Sequence, residues 1–271
     1  MTEGYPLPRD VSYIYASPVP LPAGDPLDPG PAVDADRDTP ARDRNAAIRG
    51  FSTPLLFGAI TYERRKDFDD EQEYYNTALL VAPDGRVLGR YDKNYLLIFG
   101  EHIPFADWFP FLKSWLPEAG DYRPGRTVEV FDLDSVRIGL MICYEDIIPS
   151  FTRKLADKDP NILINITNDA WFGKTSEPWQ HLQLAAFRAI ENRRYLLRST
   201  NTGVSAVIDP VGRIVSHTSL EGAETLTADI AVLSGETIYQ RFGDVFAWAC
   251  CALGLLLVIA SMAKKGSKKS S

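Results

Sequence analysis

The chain has 271 residues, with 29 basic and 36 acidic side chains, a formal charge of −7 and 45% hydrophobic residues. These values exclude a fully disordered chain, a collagen and a coiled coil, and the acidic balance argues against broad nucleic-acid binding. Three cysteines cannot build a disulfide framework, and three widely spaced histidines with no CxxC pair point away from a structural zinc site, so no metal is expected.

Residues 1–45 hold nine of the 19 prolines and few apolar runs. Proline fixes φ and removes a backbone donor, so residues 1–50 are expected to be mostly irregular. Order begins near Thr53. The apolar run LLFGAIT (residues 55–61) suits a buried strand. NTALLVA (residues 76–82) and RVLGRY (residues 86–91) flank a Pro83-Asp84-Gly85 turn and read as a hairpin. Residues 94–127 are rich in aromatics, proline and glycine and read as long loops. Strands follow at residues 128–132, 136–142 and 161–166. Residues 177–194 have helical character, with Leu182, Ala185, Ala186, Ala189 and Ile190 at core spacings. Residues 196–200, 204–209, 213–217 and 225–232 then read as strands, the middle two joined by an Asp209-Pro210-Val211-Gly212 turn. Several strands are apolar along both faces, which requires a sheet covered on both sides by helices or by a second sheet.

Residues 246–263 form an apolar run of eighteen residues without a charge, followed by KKGSKKSS. That length meets the threshold for a membrane span, with Trp248 near one end as an interfacial aromatic. The formal charge divides accordingly into −11 for residues 1–263 and +4 for the tail. Lysines after the span predict a cytoplasmic C-terminus and a preceding domain on the other side of the membrane. No signal peptide or first span precedes that domain, so the chain is expected to lack its beginning.

Cys143 ends the strand VRIGLMI and precedes Tyr144-Glu145-Asp146. A strand end opening onto polar residues is where α/β proteins place reactive groups. A thiol there is either a nucleophile, if a cation or base lowers its pKa, or a buried structural cysteine. Lys93 follows the strand RVLGRY and precedes a glycine and Glu101 among aromatics. A lysine after a strand is ordinarily solvated, so its position alone does not give it a role. Trp171 sits in a loop after the strand NILINI, with two large rings that need burial or a ligand.

Four segments in order carry a resemblance: YDKNYLLIFGEHIPF (residues 91–105), GLMICYED (139–146), NITNDAWFG (165–173) and RSTNTGVSAVIDPVGR (198–213). Together they resemble the nitrilase, or carbon–nitrogen hydrolase, superfamily, and within it more closely the apolipoprotein N-acyltransferase family. The resemblance covers roughly residues 50–232, and the apolar run matches that family's last membrane helix. It implies an α/β fold: a four-layer α-β-β-α sandwich followed by one C-terminal transmembrane helix. The domains expected are an irregular segment 1–50 carrying the remnant of the active-site front end, a catalytic domain 51–240, a membrane helix 246–263 and a basic tail 264–271.

The resemblance implies a Glu–Lys–Cys triad. Lys93 and Cys143 carry over directly. Glu3 is the only glutamate before residue 63, and its segment, residues 2–10, looks like the residues after the family glutamate in some members, so the resemblance gives Glu3 the base role. Glu101 resembles a second family glutamate that helps hold the lysine. Tyr144 and Glu145 match residues beside the nucleophile, and Trp171 would line the lipid-facing mouth. The implied reaction moves an acyl chain from a phospholipid through a Cys143 thioester to the diacylglyceryl-cysteine amine of a bacterial apolipoprotein, with no metal or cofactor. The implied location is the bacterial inner membrane, with the catalytic domain periplasmic. Two other readings stand beside it: an amidase of the same superfamily, and a non-catalytic membrane-anchored remnant.

Overall fold

The computed structural model describes residues 11–14, 53–64, 72–106, 108–109, 111–115, 120–220 and 222–269. Two sheets organise it. The first has four antiparallel strands, β1 (Val11–Ile14), β2 (Leu55–Arg64), β3 (Gln72–Val81) and β4 (Val87–Asp92), in chain order. The second contains β5 (Val130–Leu133), β6 (Val136–Ile142), β7 (Ile162–Thr167), β8 (Leu196–Thr200), β9 (Ala206–Ile208) and β10 (Ile214–His217), ordered from β10 to β5. Only β6–β7 and β7–β8 pair in parallel. Helices α2 (Pro149–Ala156) and α3 (Glu177–Asn192) supply those crossovers. A short helix α1 (Phe111–Trp115) interrupts the stretch expected to be all loop, and β1 lies within the segment expected to be irregular.

The alternation of side chains along each strand decides what each face meets. Ala78, Leu80 and Tyr91 of the four-stranded sheet join Ile138, Leu140 and Ile142 of β6 in one buried core. Two glycines let the sheets approach closely. A Cβ added at Gly58 would lie 3.4 Å from Ile166, and one at Gly89 would lie 2.7 Å from the Phe131 ring. The other face of the six-stranded sheet carries Met141, Leu163 and Leu196, and α2 and α3 close over it with Phe151, Leu155, Leu182, Ala185 and Ala189. Strands apolar on both faces are thus explained. The contacts define three layers, and no contact among the described residues defines the fourth.

Both turns read from the sequence are present. Gly85 (φ 84°) donates to the Ala82 carbonyl at 2.9 Å, and Gly212 (φ 82°) donates to the Asp209 carbonyl at 2.9 Å. Other expectations need correction. Residues 225–232 form no strand: the segment is largely exposed, and Ile230 alone of it packs against the core as a half-buried side chain. Ile190 is 44% exposed rather than core, because α3 turns it away from the sheet. Helix α2 was not anticipated. Proline at its first turn suits a helix start, and eight residues are too few for clear periodicity.

At the C-terminus, α5 (Val245–Lys269) follows the short helix α4 (Ile238–Phe242). Its Val245–Met262 window is long and apolar enough to cross a membrane and makes no buried contact.

Candidate active site

Lys93 continues the inward face of β4 after Gly89 and Tyr91, and it is 1% exposed. A buried ammonium needs partners. It finds Glu101, whose Oε2 accepts from Nζ at 2.6 Å. The loop of residues 94–101 folds back to bring that carboxylate in, with the Leu97 N–H donating to Oε2 at 2.8 Å. Asn76, on neighbouring β3, closes the arrangement. Its Nδ2 donates to Glu101 Oε1 at 2.7 Å, and its carbonyl accepts the Lys93 N–H at 2.8 Å.

Cys143 stands where β6 ends. It opens a 3-10 turn, Cys143–Ile147, and adopts φ +51°. A non-glycine residue held there costs about 1–2 kcal/mol. The surroundings that hold it are specific: the Asn165 Nδ2 donates to the Cys143 carbonyl at 3.0 Å. The thiol itself is half-buried against the core. Tyr144 beside it is 37% exposed, so its ring can meet a ligand.

Glu145 joins the two halves. It is fully buried, yet its carboxylate accepts the Asn94 N–H at 2.7 Å, the Tyr95 N–H at 3.0 Å, the Ile142 N–H at 2.8 Å and the Tyr91 hydroxyl at 2.8 Å. Protein donors fill it. Through these bonds Glu145 joins the Lys93 segment to the Cys143 turn. Burial pushes its pKa up, against the pull of the N–H groups and of Tyr91. Tyr91 in turn is held well above its usual value by burial and by the Glu145 charge.

Trp171 lies in a second 3-10 turn, Ala170–Phe172, after β7, with its ring 69% exposed. A depression near this turn, lined by Asp169, Gly173, Pro178 and Gly203 among others, touches none of Cys143, Lys93 and Glu101. Glu3 lies outside the described residues. The structure therefore brings Lys93, Glu101 and the Cys143 turn into one bonded assembly and leaves Tyr144 and Trp171 as exposed aromatics. Sequence reasoning missed Asn76. It also missed a buried group formed by Asp146, Asp169, His181 and Arg198, which come from four separate elements with no shared spacing.

A carbon–nitrogen hydrolase family model matches residues 47–239. The chain is 38% identical over 219 residues to an apolipoprotein N-acyltransferase of Geobacter metallireducens, an alignment covering 80% of this chain and 42% of that one. It is 44% identical over 180 residues to an apolipoprotein N-acyltransferase of Bdellovibrio bacteriovorus, covering 65% of this chain and 33% of that one. The chain thus spans less than half the length of these curated relatives. Among solved structures, Saccharomyces cerevisiae Nit3, of the nitrilase superfamily, matches with a TM-score of 0.47 and 22% identity over 65% of this chain and 59% of that one.

Proposed function

Because this chain belongs to the carbon–nitrogen hydrolase family, we propose that its site is a thiol acyl-transfer centre and that it serves N-acylation of lipoproteins. One observation carries the reading: the buried Lys93–Glu101 pair is tied through Glu145 to the strand-end Cys143. The relatives named apolipoprotein N-acyltransferase supply the substrate class.

In this mechanism a base takes the Cys143 proton, the role that the resemblance assigns to Glu3. The thiolate attacks the ester carbonyl of a phospholipid acyl chain, and the Lys93 ammonium stabilises the oxyanion. The ester C–O bond breaks, the lysophospholipid oxygen takes the proton, and an acyl thioester remains on Cys143. The diacylglyceryl-cysteine amine then attacks the thioester. The C–S bond breaks, an amide forms, and the amine's proton returns to the thiol by way of the base. Glu101 fixes the Lys93 ammonium, Glu145 holds the two segments together, and Tyr144 and Trp171 border the acyl chain.

Membrane anchorage belongs to the same reading. The Val245–Met262 window would span the bilayer, with the lysine-rich tail cytoplasmic and the catalytic region, residues 51–240, on the periplasmic face of the inner membrane. The complete four-layer sandwich is part of the proposal as well.

The test uses the full chain with phospholipid vesicles and intact mass measurement. An acyl adduct on Cys143, discharged by an amine-terminated diacylglyceryl lipopeptide, is expected. Adducts confined to Cys250 or Cys251 would overturn the nucleophile assignment. Ammonia release from small amides without acyl transfer would establish the amidase reading instead.

A further inference from the structure

Beneath the six-stranded sheet, four charged side chains meet in a space closed to solvent. Asp146 lies three residues after Cys143 in the same 3-10 turn, and Asp169 lies two residues before Trp171. His181 of α3 sits between them, its Nε2 2.8 Å from Asp146 Oδ1 and its Nδ1 3.1 Å from Asp169 Oδ1. Arg198 of β8 spans the same two carboxylates, with Nη1 2.5 Å from Asp146 Oδ2 and Nη2 2.9 Å from Asp169 Oδ2. Its Nη1 also donates to Asn165 Oδ1 at 3.2 Å, and Asn165 is the residue that holds the Cys143 carbonyl. All four charged residues are at most 5% exposed.

Two carboxylates facing Arg198 alone leave one negative charge buried without a counterion, which is expensive. A second cation in the gap balances the group, and His181 is the side chain placed there. Both of its ring nitrogens lie at hydrogen-bonding distance from a carboxylate oxygen, as an imidazolium with two donors requires. Arg198 Nη2 also lies 2.9 Å from Nδ1, a contact that favours a neutral ring accepting there. Glu177, in the first turn of α3, adds a further acidic group that senses His181. The two carboxylates outweigh both burial and the Arg198 charge, so the His181 pKa is raised to about 9.

We propose that His181 is a positioning residue: as a cation bridging Asp146 and Asp169, it locks the turn that carries Cys143 to the turn that carries Trp171. The proposal rests on the thiol acyl-transfer reading for what the Cys143 turn does, and it adds how that turn is kept in its strained conformation. Deprotonation of His181 leaves the group with excess negative charge. Asp146 and Asp169 are then driven apart, the Cys143 turn relaxes, and the thiol loses its setting beside the Lys93 segment.

The experiment uses the full chain carrying Cys250→Ser and Cys251→Ser, so that Cys143 is the sole thiol, and compares it with the same chain carrying His181→Gln. Two rates are followed from pH 6 to 10. One is alkylation of Cys143 by iodoacetamide, which is blind to the natural acyl donor. The other is single-turnover acylation by phospholipid vesicles. The variant is expected to show an alkylation midpoint raised by roughly one pH unit, a tenfold loss of thiolate at neutral pH, and a matching fall in acylation. The parent's acylation should decline as pH passes about 9, where His181 loses its proton. A folded His181→Gln chain with an unchanged alkylation midpoint overturns the proposal. If the variant does not fold, the parent decides: ¹⁵N-histidine spectra locate the His181 titration, and acylation or alkylation with no step at that pH overturns it. Absence of acylation in the parent, with the alkylation shift intact, rejects the acyl-transfer reading and leaves the positioning role standing.

Discussion

The Asn94 N–H donates to Glu145 Oε1 over 2.7 Å, joining the residue after Lys93 to the residue two after Cys143. These positions are 51 residues apart in the chain, and the Tyr91 hydroxyl donates to the same carboxylate through a buried bond. Glu145→Gln keeps the shape of the side chain but turns one acceptor into a donor facing backbone N–H groups. Leaving a buried donor unpaired costs about 1–3 kcal/mol. We expect a lower melting temperature and, in the chain that still folds, loss of Cys143 acylation by at least tenfold. Calorimetry and single-turnover mass measurement check the two effects separately.

Gly125 packs against the end of β4. Its N–H donates to the Lys93 carbonyl at 2.7 Å, and an added Cβ would lie 2.0 Å from the Asp92 carbonyl oxygen. Backbone cannot yield as a flexible side-chain end does. Gly125→Ala must therefore push the Lys93 segment away from β3 or break its own hydrogen bond. A destabilisation of about 1–3 kcal/mol is expected from such overpacking, with slower Cys143 acylation because Lys93 moves. Denaturant titration reads the first effect and adduct formation the second.

Much of this was legible from the sequence. The β3–β4 hairpin announced itself through Pro83-Asp84-Gly85, because a tight turn demands residues that tolerate its dihedrals. Lys93 and Cys143 were legible as strand-end residues, and their local motifs named the family. What escaped was long-range. Glu145 shows as an acidic residue after a nucleophile, yet its work is done with Asn94 and Tyr95, in the loop after β4. His181 is one histidine on a helix, and nothing local says that Asp146, Asp169 and Arg198 converge on it. The strand expected at residues 225–232 is not formed, since a local sequence pattern reports only that a strand is possible, while a strand needs an edge to pair with.

Glu191, in the last turn of α3, controls a pH dependence of stability. Burial raises its pKa to about 7, Arg188 opposes that rise, and Asp244 adds to it. A carboxyl with a raised folded pKa stabilises fully below its unfolded value near 4.5, and that contribution is lost as pH rises through about 7. The change is at most about 3 kcal/mol, less what solvent screening removes. Glu191→Gln cannot ionise, so its stability should be flat where the parent's falls. Urea denaturation at several pH values from 4.5 to 8 compares the slopes, and parallel curves would remove Glu191 as the source.

Helix α5 presents Phe246, Trp248, Leu253, Leu256 and Ile259 with 54% to 80% of each exposed, and no described element covers them. That much apolar surface in water is costly, at about 25 cal/mol per Å², and the proposed membrane anchorage would cover it with lipid. Leu256 lies near the middle of the span. Leu256→Arg places a charge at the bilayer centre, which insertion scales set at roughly 2.5–3.5 kcal/mol. The parent chain should require detergent for extraction from membranes and resist alkaline wash. The variant should shift toward the soluble or aggregated fraction. Its Cys143 should remain open to iodoacetamide at the parent's rate, because the span makes no buried contact with the rest of the chain. Release of the parent by alkaline wash alone would show that α5 is covered by protein rather than by lipid.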